Sequence, residues 1–383
     1  MRICIIYDCL FPWTIGGGER WYRALAERLA AAGHEVTYLT LQQWNDDQPP
    51  HVAGVNVIAA GPRMPLYKSG KRRILPPLRF GLGVFLHLLR NPRRYDQLHM
   101  ASFPFFSLLA AAVVLPISRY RIAVDWFEVW SRQYWDDYLG RAGIIGWWVQ
   151  KLCARVPQQA YCFSRLHGER LRLLGLSPPP VPLSGLYSGG RKESAEAATP
   201  TTLVYAGRMI PEKRLDLLVE ALPLVIAAAP ETRFILFGEG PDKARIADRV
   251  TELGIGSSVS MPGFASDEEL DLAMRHAAAV VQPSAREGYG LIVVEASARG
   301  VPAVVAVGED NAATELIEQG RNGFVAQPAD PQHFAKAILA CLADASALRV
   351  STHEWFKENQ ERLSIAGSQR VVEAAYGVRA SAR

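Results

Sequence analysis

No stretch of this sequence stays apolar for the ~20 residues a membrane-spanning helix needs. The longest near-continuous apolar run, Phe105 to Ile117, falls short. The opening MRICIIYDCLF meets Asp8 too early to be a signal peptide. Cysteine is scarce: Cys4, Cys9, Cys153, Cys162 and Cys341 are odd in number and contain no CxxC pair. That excludes a disulfide framework and a cysteine zinc site, and points to a reducing compartment. The net charge is only +4, with a pI near 8.8, too mild to make nucleic acid the default partner. No short-period repeat or low-complexity tract occurs, so solenoids are excluded. Acidic residues are missing from one place in particular: none lies between Asp47 and Asp96.

What is present reads as a globular α/β chain. Hydrophobic residues make up 49% and charged ones 21%, which is neither disordered nor fibrous. A length of 383 residues suits two domains. RICIIY reads as a buried strand. Trp21, Leu25 and Leu29 then recur at helical spacing from Gly18 to Ala32, and EVTYLT resumes as a strand. Further strands are expected at Val55–Ala59, Gln97–Met100, Ile122–Asp125 and Ala160–Phe163. Between Leu176 and Thr202 proline, glycine and small polar residues dominate, the mark of a linker. The alternation restarts with LVYAG, FILFGEG, VSMPG, AVVQPS, VPAVVAV and GFVAQP. Ser266 with Glu269 predicts a capping box. The expected organisation is an amino-terminal parallel-sheet domain over 1–185, a linker over 186–201 and a second such domain over 202–353. A helical segment over 354–383 is expected to pack back toward the first domain. Two doubly wound units facing a central cleft would bind ligands beyond the carboxyl ends of their strands.

Two segments carry the chemistry. In AREGYGLIVVEASARGVP, Glu287 and Glu295 stand around a Gly-Tyr-Gly-Leu turn that opens a helix. Glycines let the backbone approach a ligand, amides at a helix start favour an anion, and a carboxylate on the helix accepts from ribose hydroxyls. Both glutamates also fit a solvated turn and helix. In AGRMIPEKRLDLLVEAL, Arg208 follows a strand and Lys213 opens the next helix. A guanidinium fork and an ammonium together suit a diphosphate; a surface Arg and Lys beside a loop is the plain alternative.

GR-x4-K after a strand, FGEGP, MPGF, and E-x7-E followed by RGVPAVV resemble the family 4 retaining glycosyltransferases of GT-B fold. The resemblance covers nearly all of the second domain and reaches the first through FPWTIGGGERWYRALAERLAAAGHEV. It implies two Rossmann-like domains and transfer from a nucleotide-diphosphate sugar with retention of configuration. Arg208 and Lys213 would hold and stabilise the departing diphosphate. Glu287 would contact the donor sugar, and Gly288, Tyr289, Gly290 and Leu291 would line the donor. Glu295 would hold the ribose, Gly263 and Phe264 would lie near the base, and Gly17 and Gly18 would face the diphosphate. No cofactor or metal is expected. The chain has no Asp-x-Asp to bridge a diphosphate through a metal, and Arg208, Lys213 and helix-start amides would take that electrostatic role.

One position departs from the family. Many members carry a histidine after a strand of the first domain, and IAVDWFEVW places Phe127 there. Asp125 would substitute as a polar contact to sugar or acceptor, or cap the following turn. His99 reads as a core histidine. Trp126, Trp130, Trp135, Trp147 and Trp148 suit sugar stacking, a lipid acceptor, a membrane interface or plain core packing. An NAD-dependent oxidoreductase would need G-x-G-x-x-G after the first strand, where IGGGER stands after a long loop.

The acid-free interval holds nine cations: Arg63, Lys68, Lys71, Arg72, Arg73, Arg79, Arg90, Arg93 and Arg94. They flank the apolar LRFGLGVFLHLLR, the composition of a segment lying on an anionic membrane surface; an ordinary amphipathic helix with a solvated basic face, or a basic mouth for an anionic acceptor, is the plain alternative. Without them the chain has 33 Lys+Arg against 38 Asp+Glu, so the mild average conceals a local excess. The sequence therefore reads as a cytoplasmic enzyme, peripheral on the inner membrane face through 63–94. Its partners would be a nucleotide sugar and a glycan or lipid-linked acceptor, with no nucleic acid. The alternative is a weakly active sugar-nucleotide-binding scaffold.

Overall fold

The structure is a computed structural model and describes residues 1–14, 16–45, 50–68, 71–189 and 201–380. It divides into two compact units, one of Met1–Leu186 with Gly367–Arg383, the other of Tyr187–Ala366.

In the first unit the apolar runs become strands β1 (Arg2–Ile6), β2 (Glu35–Leu41), β3 (Val55–Gly61), β4 (Gln97–Ala101), β5 (Arg121–Trp126), β6 (Gln159–Cys162) and β7 (Val181–Pro182). They form one sheet in the order β3-β2-β1-β4-β5-β6-β7, every neighbouring pair parallel. Between them run helices α1 (Gly17–Ala31), α2 (Leu75–Arg90), α3 (Phe105–Val114), α4 (Arg132–Leu139), α5 (Gly143–Ala154) and α6 (Arg165–Leu173). Leu39, Leu98, Val124, Phe80, Val84 and Leu108 are among the side chains packed between sheet and helices. Two glycines let α2 sit close. A Cβ on Gly83 would come within 1.6 Å of the Ala60 carbonyl oxygen of β3, and one on Gly81 within 2.6 Å of Phe106 Cβ on α3. Both contacts are shorter than atoms allow, so only glycine fits there.

The second unit repeats the plan. Strands β8 (Thr202–Ala206), β9 (Arg233–Phe237), β10 (Val259–Gly263), β11 (Ala277–Gln282), β12 (Ala303–Ala306) and β13 (Gly323–Ala326) form a parallel sheet in the order β10-β9-β8-β11-β12-β13. Its helices are α7 (Leu215–Ala228), α8 (Lys243–Glu252), α9 (Asp267–Arg275), α10 (Leu291–Ser297), α11 (Pro331–Ala343) and α12 (Ala345–Leu363). The expected capping box opens α9: Glu269 N–H donates to Ser266 Oγ at 3.1 Å, and Ser266 N–H to Glu269 Oε2 at 2.8 Å.

The carboxyl-terminal boundary differs from expectation. Residues 354–383 are not one segment. Helix α12 begins at Ala345 and ends at Leu363 inside the second unit, the backbone turns extended at Ser364, and α13 (Ile365–Ala380) follows. From Gly367 onward the chain counts with the first unit. Within the proline-rich stretch that begins at Leu176, Val181–Pro182 pairs with Tyr161 and Cys162 as an edge strand, inside the expected first domain; of the expected linker, 190–200 lie outside the described residues. No disulfide joins the five cysteines, all of them buried.

Candidate functional site

In the second unit, the segment after β8 rests on the segment after β9. Met209 N–H donates to the Glu239 carbonyl at 2.9 Å, and Tyr205 Oη donates to the Arg208 carbonyl at 2.9 Å. The contact is so close that a Cβ on Gly238 (φ +138°) would meet the Gly207 carbonyl oxygen at 1.9 Å. With the backbone fixed this way, the Arg208 side chain is exposed, and its guanidinium makes no hydrogen bond or ion pair among the described residues. A 3-10 turn, Pro211–Lys213, follows, and Arg214 in the left-handed region (φ +48°) starts α7.

Lys213 points from that turn to Glu287. Its Nζ lies 2.5 Å from Glu287 Oε1, and the same oxygen accepts from Gln282 Nε2 and Ser284 Oγ, each at 2.9 Å. Burial alone would raise the Glu287 carboxyl. The Lys213 charge and the three hydrogen bonds outweigh it and hold the group below the ordinary carboxylate range. Oε1 is thus triply engaged, while Oε2 accepts no hydrogen bond among the described residues. The loop is pinned from two sides: Ala285 N–H donates to the Glu212 carbonyl at 3.0 Å, and Arg286–Glu287 pairs with Asp310–Asn311. The Arg286 guanidinium is lowered to about 10 by burial, against the opposing pull of Asp310 and Glu287.

Beyond Glu287, Gly290 occupies the left-handed region at φ +95° and caps α10, and a Cβ there would lie 2.5 Å from Ala313 Cβ. Gly288 precedes this turn, Tyr289 is buried, Leu291 is half-buried, and Glu295 stands half-buried one turn along the helix. Arg299 holds that helix end. Its Nη1 donates to the Glu295 carbonyl at 2.5 Å, and its Nη2 lies 2.6 Å from Asp271 Oδ1. At the end of β10, Gly263 (φ +95°) leaves room for Glu239, and Phe264 is 79% exposed. The sequence-selected residues of this unit therefore all lie at or beyond the carboxyl ends of β8, β10 and β11. Gln282 and Ser284 were not selected from sequence; QPS directly behind a buried strand was the only sign of them.

In the first unit, Gly17 and Gly18 open α1. A Cβ on Gly18 would lie 2.9 Å from Tyr7 Oη and 3.8 Å from Phe127, so the glycine turn and the departing position are neighbours. Phe127 stacks on Phe163 with ring centroids 4.8 Å apart. The expectation for Asp125 is corrected. The residue is 0% exposed, and its Oδ2 accepts from Trp21 Nε1 at 2.7 Å and lies 2.9 Å from His99 Nε2. A carboxylate enclosed in this way ties α1, β4 and β5 together and presents nothing to a ligand. His99 is a core histidine with both ring nitrogens engaged: its Nδ1 meets Tyr376 Oη of α13, and its Nε2 faces Asp125 Oδ2. Most of the tryptophan cluster is core as well. Trp126 and Trp135 are buried, with Trp130 4.5 Å from Trp135; Trp148 alone of the five is exposed.

Comparison with known proteins agrees with this architecture. The family model "Glycosyl transferases group 1" matches residues 190–362, and "Glycosyltransferase Family 4" matches 15–182. A glycogen synthase of Mycobacterium tuberculosis is 26% identical over 371 residues, 91% of this chain and 87% of that protein. Other relatives are matched over part of their length: the chain spans 16% of an exopolysaccharide phosphotransferase of Streptomyces coelicolor, at 30% identity over 152 residues. Among solved structures, a sucrose-phosphate synthase of Thermosynechococcus elongatus superposes with TM-score 0.79 at 19% identity, over 100% of both chains. Anabaena HepE in complex with UDP and glucose gives 0.74 at 17%, over 98% of this chain and 99% of that one. With two parallel-sheet units in this order and both family models matched, the chain belongs to the family 4 glycosyltransferases of GT-B fold.

Proposed function

We propose that this glycosyltransferase moves a sugar from a nucleotide-diphosphate sugar to a hydroxyl of a glycan or lipid-linked acceptor, with retention of configuration and without a metal. Its place would be in cell-envelope polysaccharide or glycolipid synthesis on the inner face of a membrane. The observation that carries the reading is the Arg208–Lys213–Glu287 arrangement. An exposed guanidinium without a hydrogen-bond or ion-pair partner among the described residues and an ammonium held by one carboxylate oxygen are what a departing diphosphate requires. Glu287 has one oxygen fixed by three donors and the other open to a sugar hydroxyl. Glu295 on α10 and Phe264 beyond β10 would take the ribose and base, Gly17 and Gly18 the diphosphate. Support for the donor class comes from HepE, whose structure holds UDP and glucose.

Phe127 motivates a second reading, a sugar-nucleotide-binding protein of weak turnover. Nucleotide release from a panel of UDP-, GDP- and ADP-sugars, with and without candidate acceptors, separates the two. Lys213→Ala should lower release about 100- to 1,000-fold, the usual loss when one transition-state donor is removed, with the fold intact. Unchanged release refutes the leaving-group role. Tight donor binding without release favours the second reading, and the anomeric configuration of the product, followed by NMR, tests retention.

A further inference from the structure

The helices α2, α3 and α5 share a property that the basic segment alone does not reveal. Each buries one face and leaves an apolar stripe on the other. On α2, Phe80, Gly81, Val84 and Leu88 face inward, while Leu78, Leu82, Leu86 and Leu89 remain 36–50% exposed. A soluble helix normally turns polar residues outward. Helix α3 touches both α2 and α5, and it and the turn after it expose Val113 and Ile117. On α5, Gly146 lies so close to Trp135 of α4 that a Cβ would come within 2.2 Å of its ring, while Ile145, Trp148 and Leu152 are 53–63% exposed at helical spacing.

Charge distinguishes what covers this surface. The three helices contain no Asp or Glu. From residue 48 to 124 the only acid is Asp96, whose carboxylate is paired with Arg2 at 2.9 Å. Arg79, Arg90, Arg93, Arg119 and Arg155 are exposed along these helices and just beyond them. Lys151 places its Nζ 4.7 Å from the Trp147 ring centre and 5.1 Å from that of Trp148, so a cation and an indole stand at one point. Indole and cation at the rim of an apolar surface are what a lipid headgroup region accommodates. A protein partner would need matching acids, and a second copy of this chain would bring the same cations face to face.

We propose that the outer faces of α2, α3 and α5 form one surface that docks on an anionic phospholipid bilayer, with Trp148 and Lys151 of α5 as an interfacial anchor additional to segment 63–94. This deepens the membrane part of the reading above and rests on it. The full chain is mixed with vesicles of phosphatidylcholine alone or containing about one-third phosphatidylglycerol, and the sedimented fraction is measured. The wild type should bind only the anionic vesicles and lose binding as salt rises. Ile145→Glu with Trp148→Glu should weaken binding by about tenfold or more, as expected when two large side chains leave the apolar zone. Leu78→Glu with Leu82→Glu should do the same. Calorimetry with nucleotide and the thermal midpoint should stay at wild-type values in both, and serine at the same positions repeats the test where glutamate impairs folding. If only the α2 pair loses binding, the α5 anchor is overturned while the membrane reading survives. Absent or charge-independent binding by the wild type overturns both. A wild-type dimer that either pair converts to monomer without lipid assigns the face to a second copy and overturns the proposal.

Discussion

At the scale of single residues, Glu287 shows how a carboxylate can be buried and stay ionised. Burial raises its affinity for a proton, and the Lys213 ammonium with Gln282 and Ser284 reverses the balance. A folded value below the unfolded one means the stabilisation is complete above the unfolded carboxyl pKa of about 4.3, and is lost as pH falls through the depressed folded value. Glu287→Gln should therefore unfold more easily than wild type near neutral pH, by about 1–3 kcal/mol. The two should converge as pH falls below about 4. Urea unfolding at several pH values measures this; a gap that stays constant with pH would mean the charge contributes nothing. Lys213 and Glu287 were legible in the sequence because glycine, strand end and charge coincide there. The fate of Asp125 was not. A strand-end aspartate reads equally as a ligand contact or a cap for the following turn, and only the meeting of Trp21 from α1 and His99 from β4 at one oxygen shows it to be an anchor.

At the scale of elements, α10 depends on the turn that starts it. Gly290 at φ +95° has no room for a Cβ against Ala313, and both facts oppose a side chain. Gly290→Ala should cost about 2–4 kcal/mol, combining left-handed strain with overpacking. It should also weaken nucleotide binding, since Glu287 and Glu295 flank the turn. Adding Ala313→Gly should recover the packing part and leave the strain, so a double mutant as unstable as the single one refutes the clash. Calorimetry and thermal unfolding read both. Elements of this kind were largely visible beforehand: the strands expected at Gln97–Met100 and Ile122–Asp125 are β4 and β5, each longer by one or two residues. Apolar runs and glycine stops mark them locally. The seating of α2 through Gly81 and Gly83 was not visible, because those glycines meet partners distant in sequence and look like ordinary helix interruptions.

At the scale of the whole molecule, the two units are unequal in how they use the chain. The second is one unbroken stretch, Tyr187–Ala366, with its own sheet and core. The first is closed by residues from the far end. Gly185 N–H donates to Ser368 Oγ at 3.0 Å, Arg28 pairs with Glu373 at 2.7 Å, and Tyr376 meets His99. Composition marked the join near Leu186, but it could not show that α13 returns, since its contacts join residues about 180 to 350 positions apart in the chain. Removing 367–383 leaves buried donors and acceptors of Gly185 and His99 unpaired, at about 1–3 kcal/mol each. The fragment 187–366 should accordingly fold alone and melt in one cooperative transition, and retain measurable affinity for a nucleoside diphosphate through Arg208, Lys213 and Glu295. The fragment 1–186 should melt far lower or fail to fold, and recover when 367–383 is joined to it through a flexible linker. Circular dichroism and calorimetry on the three fragments decide it. A stable, cooperative 1–186 would show that the returning helix is an accessory to the first unit rather than part of its core.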